Sequence, residues 1–163
     1  EFCSGGDLFS LLHKFGVEPP LEHMLKILSD VAQGMAWLHA HQPLIMHRDV
    51  KSLNLLLPSL YDRRSLPCIK VADFGSSRIR GCEEAQERTA LTKHVGTSPW
   101  KAPEVASGLY DHKADVFSFG MVMFEVLAQE IPFEGEDMSS VPALLLQGAR
   151  PSLEYMSPEC PDE

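Results

Sequence analysis

The chain has 163 residues, enough for one domain with a sizeable core. Its hydrophobic fraction of 44% and charged fraction of 23% are those of an ordinary soluble globular protein. A formal net charge of −9 argues against a nucleic-acid backbone as the main partner, and reads either as a solubilising acidic surface or as an attraction for basic substrates.

Ser4-Gly5-Gly6-Asp7 predicts a turn and a helix start, with Asp7 in the first turn. Leu8, Phe9, Leu11 and Leu12 continue it as a short apolar helix, and Pro19-Pro20 punctuates. Leu21, Met24, Leu25, Leu28, Val31, Ala32, Met35 and Leu38 then recur at helical spacing, which predicts a helix to about His39 with one buried face. Ile45-Met46 is a short apolar run. Leu55-Leu56-Leu57 and Ile69-Lys70-Val71-Ala72 read as two strands of a hairpin whose tip is the polar stretch 58–67. Residues 75–95 are polar and predict a mobile loop. Residues 104–108 predict a short helix ended by Gly108. Residues 114–128 are apolar nearly all round, which predicts a central helix buried on every side. Residues 141–146 form another short helix, and the tail 151–163 is rich in Pro and Glu.

The four cysteines, Cys3, Cys68, Cys82 and Cys160, form no C-x-x-C pair and no zinc-like spacing with histidine. Reduced thiols in a cytoplasmic protein are therefore expected. No apolar run is long enough to span a bilayer, and no signal peptide pattern opens the chain. The opening Glu1-Phe2-Cys3 reads as the middle of a longer polypeptide.

Four motifs carry chemistry. His47-Arg48-Asp49-Val50-Lys51-Ser52-Leu53-Asn54 resembles the protein-kinase catalytic loop, and Asp73-Phe74-Gly75 the metal-binding D-F-G. Ala102-Pro103-Glu104 resembles A-P-E, and the run from Asp115 to Gly120 the start of the central large-lobe helix. Alone, Asp49 reads more readily as a helix cap and Asp73 as a turn residue. Together, in the order and spacing of that family, they form a specific signal. The resemblance covers essentially the whole chain. It implies a mainly α fold, a kinase-like large lobe with a small β-hairpin region. On it, residues 1–7 are a hinge and residues 8–163 a large lobe lacking its last helices, with the small lobe absent.

The resemblance also implies roles. ATP and Mg2+ are the cofactors, and protein Ser/Thr hydroxyls the acceptors. Asp49 would take the acceptor hydroxyl, while Asn54 and Asp73 would hold magnesium through hard oxygens. Lys51 would meet the γ-phosphate. Thr97, in Gly96-Thr97-Ser98-Pro99-Trp100, would link the substrate loop to Asp49 and Lys51. Lys51 and Thr97 point to serine/threonine rather than tyrosine acceptors. Backbone groups of Glu1 and Cys3 would bond the adenine, Asp7 would face the ribose, and Leu56 would lie under the ring or simply pack in the core. His47 would be structural beneath Phe74. Arg48 could pair with a phosphate on the following loop. Thr92 and Thr89 are the acceptor positions there, or ordinary loop threonines. Gly75, Glu104 and Asp115 are structural members of the motifs.

The run K-S-L-N-L-L after Asp49 and G-T-S-P-W before A-P-E resemble the tyrosine-kinase-like group of serine/threonine kinases, the Raf and mixed-lineage relatives. The sequence departs from the family at Phe117, where Trp is usual, at Lys101, where Met is usual, and in the long stretch 58–67. Nothing in it resembles the glycine-rich phosphate loop or the lysine–glutamate pair of a small lobe. The 163-residue piece is therefore expected to be poorly stable and inactive alone, the more so if Glu104 is buried without an arginine partner. The rival readings are a pseudokinase scaffold and a tyrosine or dual-specificity kinase.

Overall fold

The computed structural model describes residues 1–79, 99–108 and 111–155. The long amphipathic run folds as helix α1, Leu21–Ala40. Pro20 is extended before its first turn, where its ring-fixed φ of −65° is accommodated and its missing N–H leaves no helix bond unmade. Its buried stripe is Met24, Ile27, Leu28, Val31, Met35 and Leu38. Leu25, expected in that stripe, is 54% exposed, and Ile27 takes the inward place. The two positions are about 160° apart around the helix, given 3.6 residues per turn.

Gly6–Asp7 forms strand β1 where a helix start was expected. It pairs antiparallel with β3, Leu55–Leu57, in the register Gly6 with Leu57 and Asp7 with Leu56. Strand β2, Ile45–Met46, lies between them in the chain. β3 pairs in turn with β4, Lys70–Val71, so the predicted hairpin is present as part of a three-stranded sheet. The approach to β1 is close. Gly5 donates its N–H to the Leu57 carbonyl at 3.0 Å, and a Cβ at Gly5 would overlap the Ser59 carbonyl oxygen. The stretch 58–67 is pinned to α1: the Tyr61 hydroxyl pairs with His23 Nδ1 at 2.9 Å, and Asp30 accepts the Ile69 N–H at 3.1 Å.

Residues 75–79 are ordered rather than loop-like. Phe74–Ser76 is a turn of 3-10 helix, and strand β5, Arg78–Ile79, pairs with β2. Most of the expected mobile loop lies outside the described residues. Pro103–Ser107 is a 3-10 helix closed by left-handed Gly108, as predicted. Glu104 is exposed on it, so the expected cost of burying its charge does not arise.

Helix α2, Lys113–Ala128, packs on α1. Its sequence predicted burial all round, but Val116 is 53% and Met123 39% exposed, along with Gly120 between them. The buried side instead carries three polar residues, Asp115, Ser118 and Glu125, beside Met121, Val122 and Val126. Helix α3, Val141–Leu146, buries Val141 and Leu145. A core of Leu8, Ile27, Val31, Val50, Leu55, Leu57, Val122 and Val126 thus binds the helices to the sheet. Among the described residues no helix is long and apolar enough to cross a membrane.

Candidate active site

The turn at residues 47–49 is held from below by α2. The Asp115 carboxylate is 2% exposed and accepts the N–H of His47 at 2.8 Å, the N–H of Arg48 at 2.7 Å and His39 Nε2 at 2.9 Å. Three donors on one buried carboxylate satisfy the desolvated charge. They also fix Arg48 at φ 71°, a left-handed conformation that a non-glycine residue holds only when its surroundings impose it.

His47 is fully buried. Its Nδ1 accepts the Asp49 N–H at 3.3 Å, so Nε2 carries the proton and donates to the Ala72 carbonyl at 2.9 Å. Its ring lies 5.1 Å from that of Phe74 in an edge-on arrangement. One imidazole thereby connects the 47–54 loop to the 72–75 turn. The Ala72 N–H adds a second link, to the Asn54 carbonyl at 2.9 Å.

Asp49 is half-buried at the top of this frame. Its Oδ2 pairs with Lys51 Nζ at 2.7 Å and accepts from Asn54 Nδ2 at 3.0 Å. The same amide donates to the Asp49 carbonyl at 2.8 Å. Both donations come from the NH2 group, which leaves the Asn54 amide oxygen as an acceptor for a cation. Asp73 is exposed, in left-handed geometry at φ 62°, and its Oδ1 accepts the Gly75 N–H at 3.2 Å. The Ala72–Asn54 bond keeps Asp73 one residue from Asn54. An amide oxygen and a carboxylate fit magnesium, which takes few protein ligands and fills its octahedron with water and phosphate oxygens. Among the described residues there is no cluster of three or more His, Cys, Asp or Glu that could hold a metal without such help.

On the sheet that follows Asn54, Asp7 and Leu56 face each other across β1 and β3, with Leu56 half-buried. Both Asp7 oxygens are engaged by Ser10: Oδ1 takes its N–H at 2.7 Å and Oδ2 its hydroxyl at 2.9 Å. Asp7 therefore caps the 8–14 helix, whose Ser10–Lys14 part is wound as a π-helix. The Cys3 carbonyl accepts the Gly6 N–H at 3.3 Å. Glu1 pairs with Lys70 on the surface, and that bond lowers the Glu1 pKa and raises the Lys70 pKa. Thr97, Thr92 and Thr89 lie outside the described residues.

Sequence reasoning missed a second buried carboxylate. Glu125 is fully buried and accepts from Ser52 Oγ at 2.6 Å and Trp100 Nε1 at 2.7 Å, with His13 Nε2 at 3.0 Å. An acidic residue inside the apolar run 121–128 was the available signal, because such a charge is buried only where donors meet it. Lys101, next to Trp100, is half-buried. Burial pushes its ammonium pKa down, the Asp49 charge opposes that, and Lys51 and Arg48 reinforce it.

Comparison with known proteins gives the frame for these observations. The family model of the protein kinase domain matches residues 1–160. The serine/threonine-protein kinases STY46 and STY17 of Arabidopsis thaliana are each 36% identical over 155 residues, covering 94% of the chain and 25% of either relative. The RGS domain-containing serine/threonine-protein kinase A of Dictyostelium discoideum is 33% identical over 94% of the chain and 12% of its own length. The chain thus spans a quarter or less of these relatives. The bonded Asp49–Lys51–Asn54 group, the adjoining Asp73 and the match over residues 1–160 agree, and the chain belongs to the protein kinase domain family.

Proposed function

We propose that the chain contributes the catalytic loop of a serine/threonine kinase of the tyrosine-kinase-like group, acting on protein Ser/Thr hydroxyls in the cytoplasm. Residues 1–7 are then the hinge and the remainder large lobe. The observation that carries the reading is the bonding of Asp49 to both Lys51 and Asn54. The relatives STY46, STY17 and the RGS domain-containing kinase A are serine/threonine-protein kinases, which supports the acceptor class.

Bound MgATP supplies the phosphoryl group and the metal charge that offsets its oxygens. Asn54 and Asp73 would hold the metal. Asp49 orients the acceptor hydroxyl and takes its proton as the hydroxyl oxygen bonds to the γ-phosphorus and the bond to the β-phosphate bridge breaks, leaving ADP. Lys51, poised on Asp49 at 2.7 Å, stabilises charge on the transferred group. The pairing of Asp7 with Leu56 supports a nucleotide edge at β1–β3. There Leu56 would contact the base, while Asp7 would reach the ribose with lone pairs left over from its capping bonds.

Phosphoamino-acid analysis of the full-length protein carrying this chain, beside its Asp49→Asn variant, tests the proposal. Label on Ser or Thr in the first and none in the second is expected. Label only on Tyr overturns the acceptor class, and no label from either favours a scaffold.

A further inference from the structure

We propose that Lys101 is a specificity-determining residue, whose ammonium receives an anionic side chain, a carboxylate or a phosphate, carried by the protein substrate beside its acceptor Ser or Thr. This rests on the kinase reading above and names the substrate class for that same site.

Lys101 faces the catalytic loop. Its neighbours Trp100 and Ala102 are buried, at 6% and 3% exposure, while Lys101 itself is half-buried. The charges that act on its ammonium are those of Asp49, Lys51 and Arg48, all in that loop. The Trp100 indole and the Ser52 hydroxyl meet on one carboxylate at 2.7 and 2.6 Å, which brings residue 101 alongside residue 51. Three cations therefore share one anion, and that anion is already engaged. Asp49 Oδ2 receives Lys51 Nζ at 2.7 Å and Asn54 Nδ2 at 3.0 Å. Among the described residues, Lys101 itself forms neither an ion pair nor a side-chain hydrogen bond.

A half-buried ammonium without such a partner has lost hydration that nothing replaces. Burial accordingly pushes its pKa down, Asp49 opposes the shift, and Lys51 and Arg48 add to it. An anion brought in by the substrate would supply the missing bond and offset the crowding of like charges. Distance limits where that anion can sit. A charge is felt over about 8 Å at physiological salt. An extended peptide advances about 3.3–3.6 Å per residue, so an anion on a peptide whose acceptor hydroxyl reaches Asp49 belongs within about two residues of that acceptor. The net charge of −9 opposes acidic peptides only at longer range, where salt screens it.

A lysine that merely packs its methylene stem would leave peptide choice unchanged when replaced by Met. The test therefore reads choice. In the full-length protein carrying this chain, kcat/KM is measured on Ser peptides differing only at the residues flanking the acceptor, which carry Asp, Asn, Lys or phosphoserine in turn. At one flanking position the Asp peptide should exceed the Asn peptide about tenfold, the size of one charge-assisted hydrogen bond. Lys101→Met should bring that ratio to within about twofold of unity, Lys101→Arg should keep it, and Lys101→Glu should favour the Lys peptide. Phosphoserine above Asp assigns the site to phosphate and Asp above phosphoserine to carboxylate. Either bears the proposal out when Lys101→Met abolishes the preference.

An Asp-to-Asn ratio near one at every flanking position, or a ratio that survives Lys101→Met, would overturn it. So would a raised ATP KM in Lys101→Met with the peptide ratio intact, which would give the ammonium to the nucleotide. If no peptide is phosphorylated, the kinase reading fails instead. Fluorescence anisotropy of the same peptides with Ala at the acceptor position then still decides the role of Lys101. The Asp peptide should bind the wild-type protein about tenfold tighter than the Asn peptide and lose that advantage in Lys101→Met. Equal affinities for the wild type would overturn the proposal by itself.

Discussion

Asp115 accepts the backbone N–H of Arg48 at 2.7 Å, and Arg48 is the residue whose φ of 71° turns the chain toward Asp49. The carboxylate and the strained backbone are one device: the bonds from His47 and Arg48 offset the left-handed conformation. Asp115→Asn should remove one acceptor and present an NH2 to a backbone N–H. A loss of about 1.5–3 kcal/mol is expected for the buried charge-assisted bond, read from the urea midpoint. An unchanged midpoint would show that the turn holds itself.

Asp49→Asn keeps an oxygen where Lys51 and Asn54 donate, but the amide cannot accept the hydroxyl proton. Turnover of the full-length protein should fall by about 10²–10⁴-fold with a melting temperature within a few degrees of wild type. Single-turnover kinetics beside thermal unfolding separates the two. A parallel collapse of both would assign Asp49 to the fold rather than the chemistry.

Lys101 offers a pH test. Burial lowers its folded pKa below the ordinary lysine value of 10.5, so between those two values the unfolded chain binds more protons than the folded one. Stability from this group must therefore rise with pH across a window that lies below 10.5 and vanish as a slope above it. Lys101→Met should raise the melting temperature at neutral pH and flatten that slope. A variant less stable than wild type at pH 7 would mean that the attraction of Asp49 outweighs burial.

Gly5 sets the approach of the first residues to β3. Gly5→Ala would drive a methyl group into the Ser59 carbonyl and break the 3.0 Å bond from Gly5 to Leu57. Weaker nucleotide binding is expected, by about tenfold for a roughly 1.4 kcal/mol displacement, measured by calorimetry on the full-length protein. Unaltered affinity would detach this edge from the nucleotide.

What could be read from the chain depended on how far apart the interacting residues lie. Helix α1 was legible because Met24, Leu28, Val31 and Met35 repeat at the period of one helix face. The limits of α2 were legible too, but its exposed side was not. Val116 and Met123 are apolar yet open, and hydrophobicity alone cannot tell which side of such a helix is covered. Strand β1 has two residues, Gly6 and Asp7, too few for any alternation to register, and the Asp7 cap drew the reading toward helix. In the site, the 47–54 motif named its own residues. Glu125 has partners 112, 73 and 25 positions away, and no local pattern announces a contact at those separations.

The stretch 58–67 is fastened at both stems, by Tyr61 on His23 and by Asp30 on the Ile69 N–H, while Asp62, Arg63, Arg64 and Ser65 stand in solvent. A segment anchored this way isolates its tip from the sheet. Length added between Asp62 and Ser65 lengthens a closed loop, a penalty that grows only with the logarithm of its size. The tip is thus a place to splice in an epitope or a fluorescent reporter with Leu56 and Lys70 keeping their register.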